Sequence, residues 1–186
     1  PATLSIRKIA NFPGNIVSFE SIKQLLEQDM SIVDSVIRAR LHSDVALVNQ
    51  VGEYIVSSGG KRLRPALVVL SANAFGYSEN HHHHLAAVVE FIHTATLLHD
   101  DVVDESNLRR GFFSIQTLWK KKVAVLVGDY LLSRGLLTAV DAEAFDLLKL
   151  TSKAVKEMSE GELLQIEKAR HLNITEDIYF EIIRRK

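Results

Sequence analysis

The sequence predicts an all-α protein, a bundle of packed helices, on three observations. Three prolines and nine glycines in 186 residues leave room for long uninterrupted elements. Apolar residues recur at the 3.6-residue period over successive stretches of ten or more positions. No stretch alternates at the period of a strand, and neither an internal repeat nor a linker interrupts the chain. Hydrophobic residues make up 47% and charged residues 24%, a balance that supports a substantial core in a single domain over residues 1–186.

The first predicted helix covers residues 18–41, where Ile22, Leu25, Leu26, Ile32, Val33, Val36 and Ile37 form one apolar face. A second helix begins at the N-cap candidates Ser43 and Asp44, repeats Val45, Val48, Val51 and Ile55, and stops at Ser57-Ser58-Gly59-Gly60. The two glycines free the backbone for positive φ, and Pro65 suits the first turn of an apolar helix over 66–75. His81 to His84 open the central helix. Four consecutive histidines fan around a helix rather than converge, so they read as a solvated helix start and not as a metal site. After Gly111, residues 112–122 read as irregular.

Residues 123–140 are apolar nearly all round, the pattern of a helix buried in the middle of its protein. Within it Gly128 permits close helix approach, and Asp129 must find a partner or a polar cavity. A long helix over 142–169 follows, with Gly161, Glu162 and Gln165 as candidates for the same interior. The last segment starts at the N-cap candidate Thr175, carries Glu176 and Asp177 in its first turn, and runs to Lys186.

Charge concentrates in residues 90–111, where Asp100, Asp101 and Asp104 end an apolar stretch beside Glu105 and before Arg109 and Arg110. On a helix, His93, Leu97, Asp100 and Asp104 share a stripe, so the Asp100 and Asp104 carboxylates stack one turn apart. Parallel carboxylates repel and need a cation. Hard oxygen ligands without thiols suit Mg²⁺, which binds through one or two carboxylates and substrate phosphates. Arg109 and Arg110 add planar donors for phosphate oxygens, so the segment reads as a magnesium-bridged diphosphate site. An ordinary acidic helix end followed by a basic loop is the bland alternative, and the macrodipole disfavours it. Lys61, Arg62 and Arg64 crowd another helix start, where three cations are electrostatically wrong unless an anion is bound, although a short basic cluster taken alone is more often a solvated loop than a site.

A net charge of −1 gives no global field for nucleic acid or anionic lipid. The absence of cysteine excludes disulfides, zinc ribbons and a thiol nucleophile. The longest apolar run considered as a membrane span, Leu85 to Leu98, is broken by Glu90 and His93, and the N-terminus lacks a signal-peptide core, so the expectation is a cytoplasmic protein without a membrane span. A start without methionine and an end at Arg184-Arg185-Lys186 without a cap or turn signal predict trimming at one or both ends.

Four motifs in register resemble the trans-type isoprenyl diphosphate synthases, or polyprenyl synthetases: GGKRLRP at 59–65, EFIHTATLLHDDVVDES at 90–106, RRG at 109–111 and AVLVGDYLLSRG at 124–135. The resemblance implies an antiparallel bundle of the isoprenoid synthase type, usually a homodimer, that condenses an allylic diphosphate with isopentenyl diphosphate. It implies that Asp100 and Asp104 bind Mg²⁺ with support from Asp101, and that Arg109 and Lys186 hold the allylic diphosphate. Lys61, Arg64, His93 and Arg110 would form the isopentenyl diphosphate pocket. Thr96 and Ala95 occupy positions where bulky aromatics stop growth at short products, which implies a medium- or long-chain product.

The family's second aspartate-rich motif lies beyond residue 186, so the resemblance covers an N-terminal portion, expected to bind diphosphate weakly and turn over little or nothing alone. Phe113 stands where a proline is common, and Lys120-Lys121 replace a frequent Gly-Asn. A non-catalytic partner subunit of a heteromeric synthase is the alternative. A terpene cyclase, with one diphosphate substrate, is disfavoured by the second set of cations at Lys61, Arg64, His93 and Arg110.

Overall fold

The computed structural model describes residues 18–58, 60–77, 79, 81–109, 111–171 and 174–185. It is built almost wholly of helices: α1 Phe19–Leu41, α2 Ala46–Ser57, α3 Leu63–Ala74, α4 His81–Val103, α5 Ile115–Trp119, α6 Lys121–Asp141, α7 Phe145–His171 and α8 Glu176–Arg185. A two-residue antiparallel hairpin, β1 Leu108–Arg109 with β2 Phe112–Phe113, lies between α4 and α5. The chain divides into two compact units, one ending at Glu143 and the other beginning at Ala144.

In the first unit α4 is the central helix and packs on α6, α3 and α1. Its core joins Leu26, Val33 and Ile37 of α1 to Val69 of α3, Phe91 and Leu98 of α4, and Leu131 of α6. The start of α1 follows from Ser18, whose Oγ accepts from the Ser21 N–H at 3.1 Å. Its buried face runs Leu26, Val33, Ile37 and Leu41, steps of seven and four residues that stay on one side of a helix.

Three local expectations change. Helix α2 starts after Val45 without a side-chain cap. Ser43 instead forms a reciprocal pair with Asn49, whose side-chain amide donates to the Ser43 carbonyl at 2.6 Å and accepts from its N–H at 2.9 Å. Helix α3 starts at Leu63, three residues early, because Arg62 rather than a glycine takes the left-handed N-cap conformation, at φ 47°. The stretch 112–122 is ordered by the hairpin and by α5, where Tyr54 meets Trp119 edge-on at 5.3 Å between centroids.

The histidine run is also corrected. His82 and His83 are buried, because α1 covers the start of α4 and brings Asp29 Oδ1 to 2.9 Å from His83 Nε2. His81 alone of the four is exposed.

Helix α6 is one-sided rather than enclosed. Ala124, Val127, Gly128, Leu131, Gly135 and Ala139 are buried, while Leu126, Leu137 and Val140 lie about half exposed on the opposite face. By length and composition α6 could cross a membrane, and it is a longer apolar candidate than Leu85 to Leu98. Here its small-residue side packs on α4. Asp129 is exposed and pairs with His99 at 3.4 Å rather than entering a buried cavity.

Gly128 meets its expected role. An added Cβ would sit 2.3 Å from His99 Nε2, which lies 3.3 Å from the Val125 carbonyl. Gly128→Ala is therefore expected to destabilise by about 1 kcal/mol, the overpacking cost less the helix-propensity gain. In a His99→Ala background the same change becomes stabilising by roughly 0.5–1 kcal/mol, leaving the propensity gain alone. Urea unfolding of the double-mutant cycle checks this, and equal effects in both backgrounds would remove His99 as the reason for the glycine.

In the second unit α7 and α8 pack through Gly161, where an added Cβ would lie 2.8 Å from the Arg185 Cβ. Arg185 bonds Glu160 at 3.0 Å and Glu181 at 2.8 Å. Thr175 caps α8 as expected, with its Oγ1 accepting from the Ile178 N–H at 3.4 Å.

Candidate active site

The end of α4 builds the acidic part of the site. The Asp104 N–H donates to the Asp100 carbonyl at 2.8 Å, so the two residues stand one helical turn apart as the spacing requires. Glu105 then takes a left-handed φ of 53°, and the Ser106 N–H returns to the Asp101 carbonyl at 2.9 Å, closing the helix. Carboxylates at a helix C-terminus oppose the macrodipole, and nearby cations offset them. Lys121 reaches Glu105 at 2.5 Å, and this hydrogen bond, reinforced by the lysine charge, holds the Glu105 carboxyl below its ordinary range.

Arg109 reaches Asp101. Its Nε donates to both Asp101 oxygens at 2.8 and 2.9 Å, and Nη2 lies 2.7 Å from Oδ1. Asp101 is 3% exposed, so this is a buried carboxylate matched by a forked guanidinium. The hydrogen bonds to Asp101 raise the Arg109 guanidinium above its ordinary value; burial opposes them, and the charges of Asp101, Asp100 and Asp104 add to them. All three aspartates therefore act on one arginine.

The arginine is fixed from behind. It sits on the hairpin opposite Phe112, and Tyr54 Oη donates to the Phe113 carbonyl at 2.8 Å. Gln116 Nε2 donates to the carbonyls of Asp101 at 2.6 Å and Ser106 at 2.7 Å, tying α5 to the end of α4.

A cavity beside this pair is lined by Tyr54, Glu90, His93, Leu97, Asp101 and Arg109, among others. The 93–97–101 series faces it, so Asp101 joins His93 and Leu97 there, in the place the sequence reading gave to Asp100. Asp100 is half-buried and Asp104 exposed.

An adjoining cleft is lined by Lys61, Arg62, Arg64, Glu90 and His93, and Arg64 Nη1 lies 3.0 Å from His93 Nε2. Here the expectation of three uncompensated cations is corrected. Arg62 bonds Glu90 at 2.6 Å and lies 3.7 Å from Asp34, so the protein itself supplies its counter-charge. Lys61 and Arg64 remain exposed.

Of the sequence-predicted residues, Asp100 and Asp104 stand at the end of α4 with their charges acting on Arg109, and Lys61, Arg64 and His93 line the second cleft. Arg110 and Lys186 lie outside the described residues. Ala95 is buried in the core, and Thr96 is half-buried with its hydroxyl on the His93 carbonyl at 2.8 Å. Neither lines the two clefts. Glu90 was missed, although it precedes His93 by three residues on the same helix side. Gln116 and Tyr54 carried no sequence signal, because their contacts span ten or more residues.

The donor set at 100–104 fits a hard divalent cation. It offers carboxylate oxygens at helical spacing, one half-buried and one exposed, with a guanidinium alongside to balance charge.

The polyprenyl synthetase family model matches residues 45–186. Octaprenyl diphosphate synthase of Escherichia coli K12 is 45% identical over 170 residues, covering 91% of this chain and 53% of that protein. The crystal structure of a decaprenyl diphosphate synthase from Rhodobacter capsulatus superposes with a TM-score of 0.83 at 45% identity, over 90% of this chain and 52% of that one. A polyprenyl synthase from Caulobacter crescentus CB15, complexed with calcium and isoprenyl diphosphate, gives 0.85 at 41% identity over 94% and 53%. The chain thus spans about half the length of the relatives it matches. The match over most of the chain, in sequence and in fold, establishes that this chain belongs to the polyprenyl synthetase family.

Proposed function

We propose that the full-length protein is a trans-prenyltransferase that condenses an allylic diphosphate with isopentenyl diphosphate to give a medium- or long-chain polyprenyl diphosphate. Residues 1–186 supply the first half of its single helical domain. The observation that carries this reading is the pairing of two unlike clefts that share Arg62, Glu90 and His93, one lined by Asp101 and Arg109 and one opening on Lys61 and Arg64. Each cleft also has cations of its own, Arg109 in the first and Lys61 and Arg64 in the second, so two anionic groups can be held side by side.

In this reading Asp100 and Asp104 hold Mg²⁺, which when bound withdraws charge from the leaving diphosphate. Asp101 keeps Arg109 oriented, and Arg109 and Lys186 steady the allylic diphosphate as its C–O bond breaks. Lys61, Arg64, His93 and Arg110 position isopentenyl diphosphate so that its double bond attacks the allylic carbon, forming the new C–C bond. A proton then leaves for the departed diphosphate, and apolar walls shield the cation from water. Both substrates are water-soluble anions, which supports action in the cytoplasm, and the protein works as a homodimer.

The test is condensation of isopentenyl diphosphate onto farnesyl diphosphate with Mg²⁺ by the full-length protein. Elongated product is expected. Diphosphate binding without turnover would favour the partner-subunit alternative.

Product length gives a separate prediction. Ala95→Phe is expected to shorten the product and, because Ala95 is 1% exposed, to cost about 1–3 kcal/mol by overpacking. Chromatography of the products alongside a thermal melt checks both, and an unchanged product distribution would remove Ala95 from the tunnel floor.

A further inference from the structure

We propose that Asp29, His82 and His83 form a binding site for a divalent transition metal of the zinc class, where α1 meets the start of α4. One ligand atom from each residue lies within 4.8 Å of the others. His82 and His83 are 8% and 5% exposed, unlike the histidines of a solvated run, and their rings lie 3.9 Å apart.

The protonation pattern points to a ligand. His82 Nδ1 lies 2.7 Å from the Glu79 carbonyl, which can only accept, so the ring proton belongs on Nδ1. His82 Nε2 then carries a lone pair, and that atom is buried with no hydrogen-bond partner. A ring with one nitrogen donating to a carbonyl and the other offering its lone pair is the arrangement of a metal-binding histidine. His83 Nε2 is 2.9 Å from Asp29 Oδ1, and Asn73 Nδ2 steadies the second carboxylate oxygen at 3.5 Å.

Two imidazoles and one carboxylate suit Zn²⁺, with a fourth position for water or another ligand, and suit Mg²⁺ poorly. The site lies about 27 Å along α4 from Asp100, counting 1.5 Å per residue, so it is separate from the proposed diphosphate chemistry.

The probe is Zn²⁺ added to the metal-stripped full-length protein, with Co²⁺ as the spectroscopic substitute. At a hundredfold excess over the dissociation constant, Zn²⁺ should raise Tm by about 5 °C or more, and Mg²⁺ at the same concentration should not reproduce the shift. Co²⁺ should give visible absorption. Asp29→Asn and His83→Gln should each abolish the Zn²⁺ shift and the Co²⁺ bands. Gln at 83 can still donate to Asp29, so that variant also guards against a loss that merely reports misfolding. The double variant His81→Gln/His84→Gln should keep both signals. If Asp29→Asn and His83→Gln retain both signals, metal is binding elsewhere, at the exposed end of the histidine run or at Asp100 and Asp104, and the proposal fails. No Zn²⁺ shift and no Co²⁺ bands in the unaltered protein would overturn it as well.

Discussion

Asp100→Ala in the full-length protein is expected to lower kcat for condensation by about 10²–10³-fold, the loss typical of deleting one preorganised charge stabiliser from a transition state. Asp100 and Asp104 stand one turn apart at the end of α4, and in the proposed function each is half of one oxygen-ligand pair. Neither Asp100→Ala nor the matching Asp104→Ala disturbs a core residue, since Asp100 is half-buried and Asp104 exposed. The loss should therefore come with a change in Tm of no more than a few degrees. Asp100→Glu is the sharper version. It keeps the charge but displaces the carboxylate by a methylene, and misplacement of about 1 Å is enough for a hundredfold loss.

The two clefts predict that the defects separate. Asp100→Ala should leave KM for isopentenyl diphosphate within a few-fold, because Lys61 and Arg64 line the adjoining cleft. An Asp100→Ala variant that condenses within a few-fold of normal would remove the metal assignment and leave the family membership standing.

How much of this site is legible in the sequence depends on the range of the interactions that make it. The helical period alone located α1, α4 and the Asp100–Asp104 spacing, because those follow from local geometry. It did not locate the partners of Arg62 or Arg109. Arg62 looked like a cation awaiting an anion until the fold brought it Glu90, 28 residues away, and Asp34. Asp101 looked like an auxiliary to its neighbours until burial and the hairpin made it the anchor of Arg109. The histidine run failed for the same reason. A helix start is solvated unless another element covers it, and α1 covers this one. Helix α6 shows the opposite error, since near-uniform apolarity suggested enclosure where half of its surface is open in this chain.

The anchor role of Asp101 leads to the largest expected stability effect. Removing one partner of a fully buried ion pair costs about 3–5 kcal/mol, because the remaining charge is left without compensation. Arg109 is about a third exposed, so water can reach part of the gap, and Arg109→Ala should cost about 2–3 kcal/mol. For a domain of this size that lowers Tm by roughly 5–10 °C. Asp101→Asn should cost less, about 1–2 kcal/mol, because it removes the buried charge and leaves an arginine that can hydrate. The order of the two variants is the test. A buried carboxylate that needs its arginine predicts Arg109→Ala as the worse change, and predicts that adding Asp101→Asn to it recovers stability in urea unfolding. If Arg109→Ala stays within 0.5 kcal/mol of the unaltered protein, Asp101 is hydrated rather than buried, and Arg109 is then free to serve the diphosphate alone. Arg109→Lys separates the two duties. Its ammonium can still neutralise Asp101 but cannot fork across two oxygens, so stability should recover more than activity does.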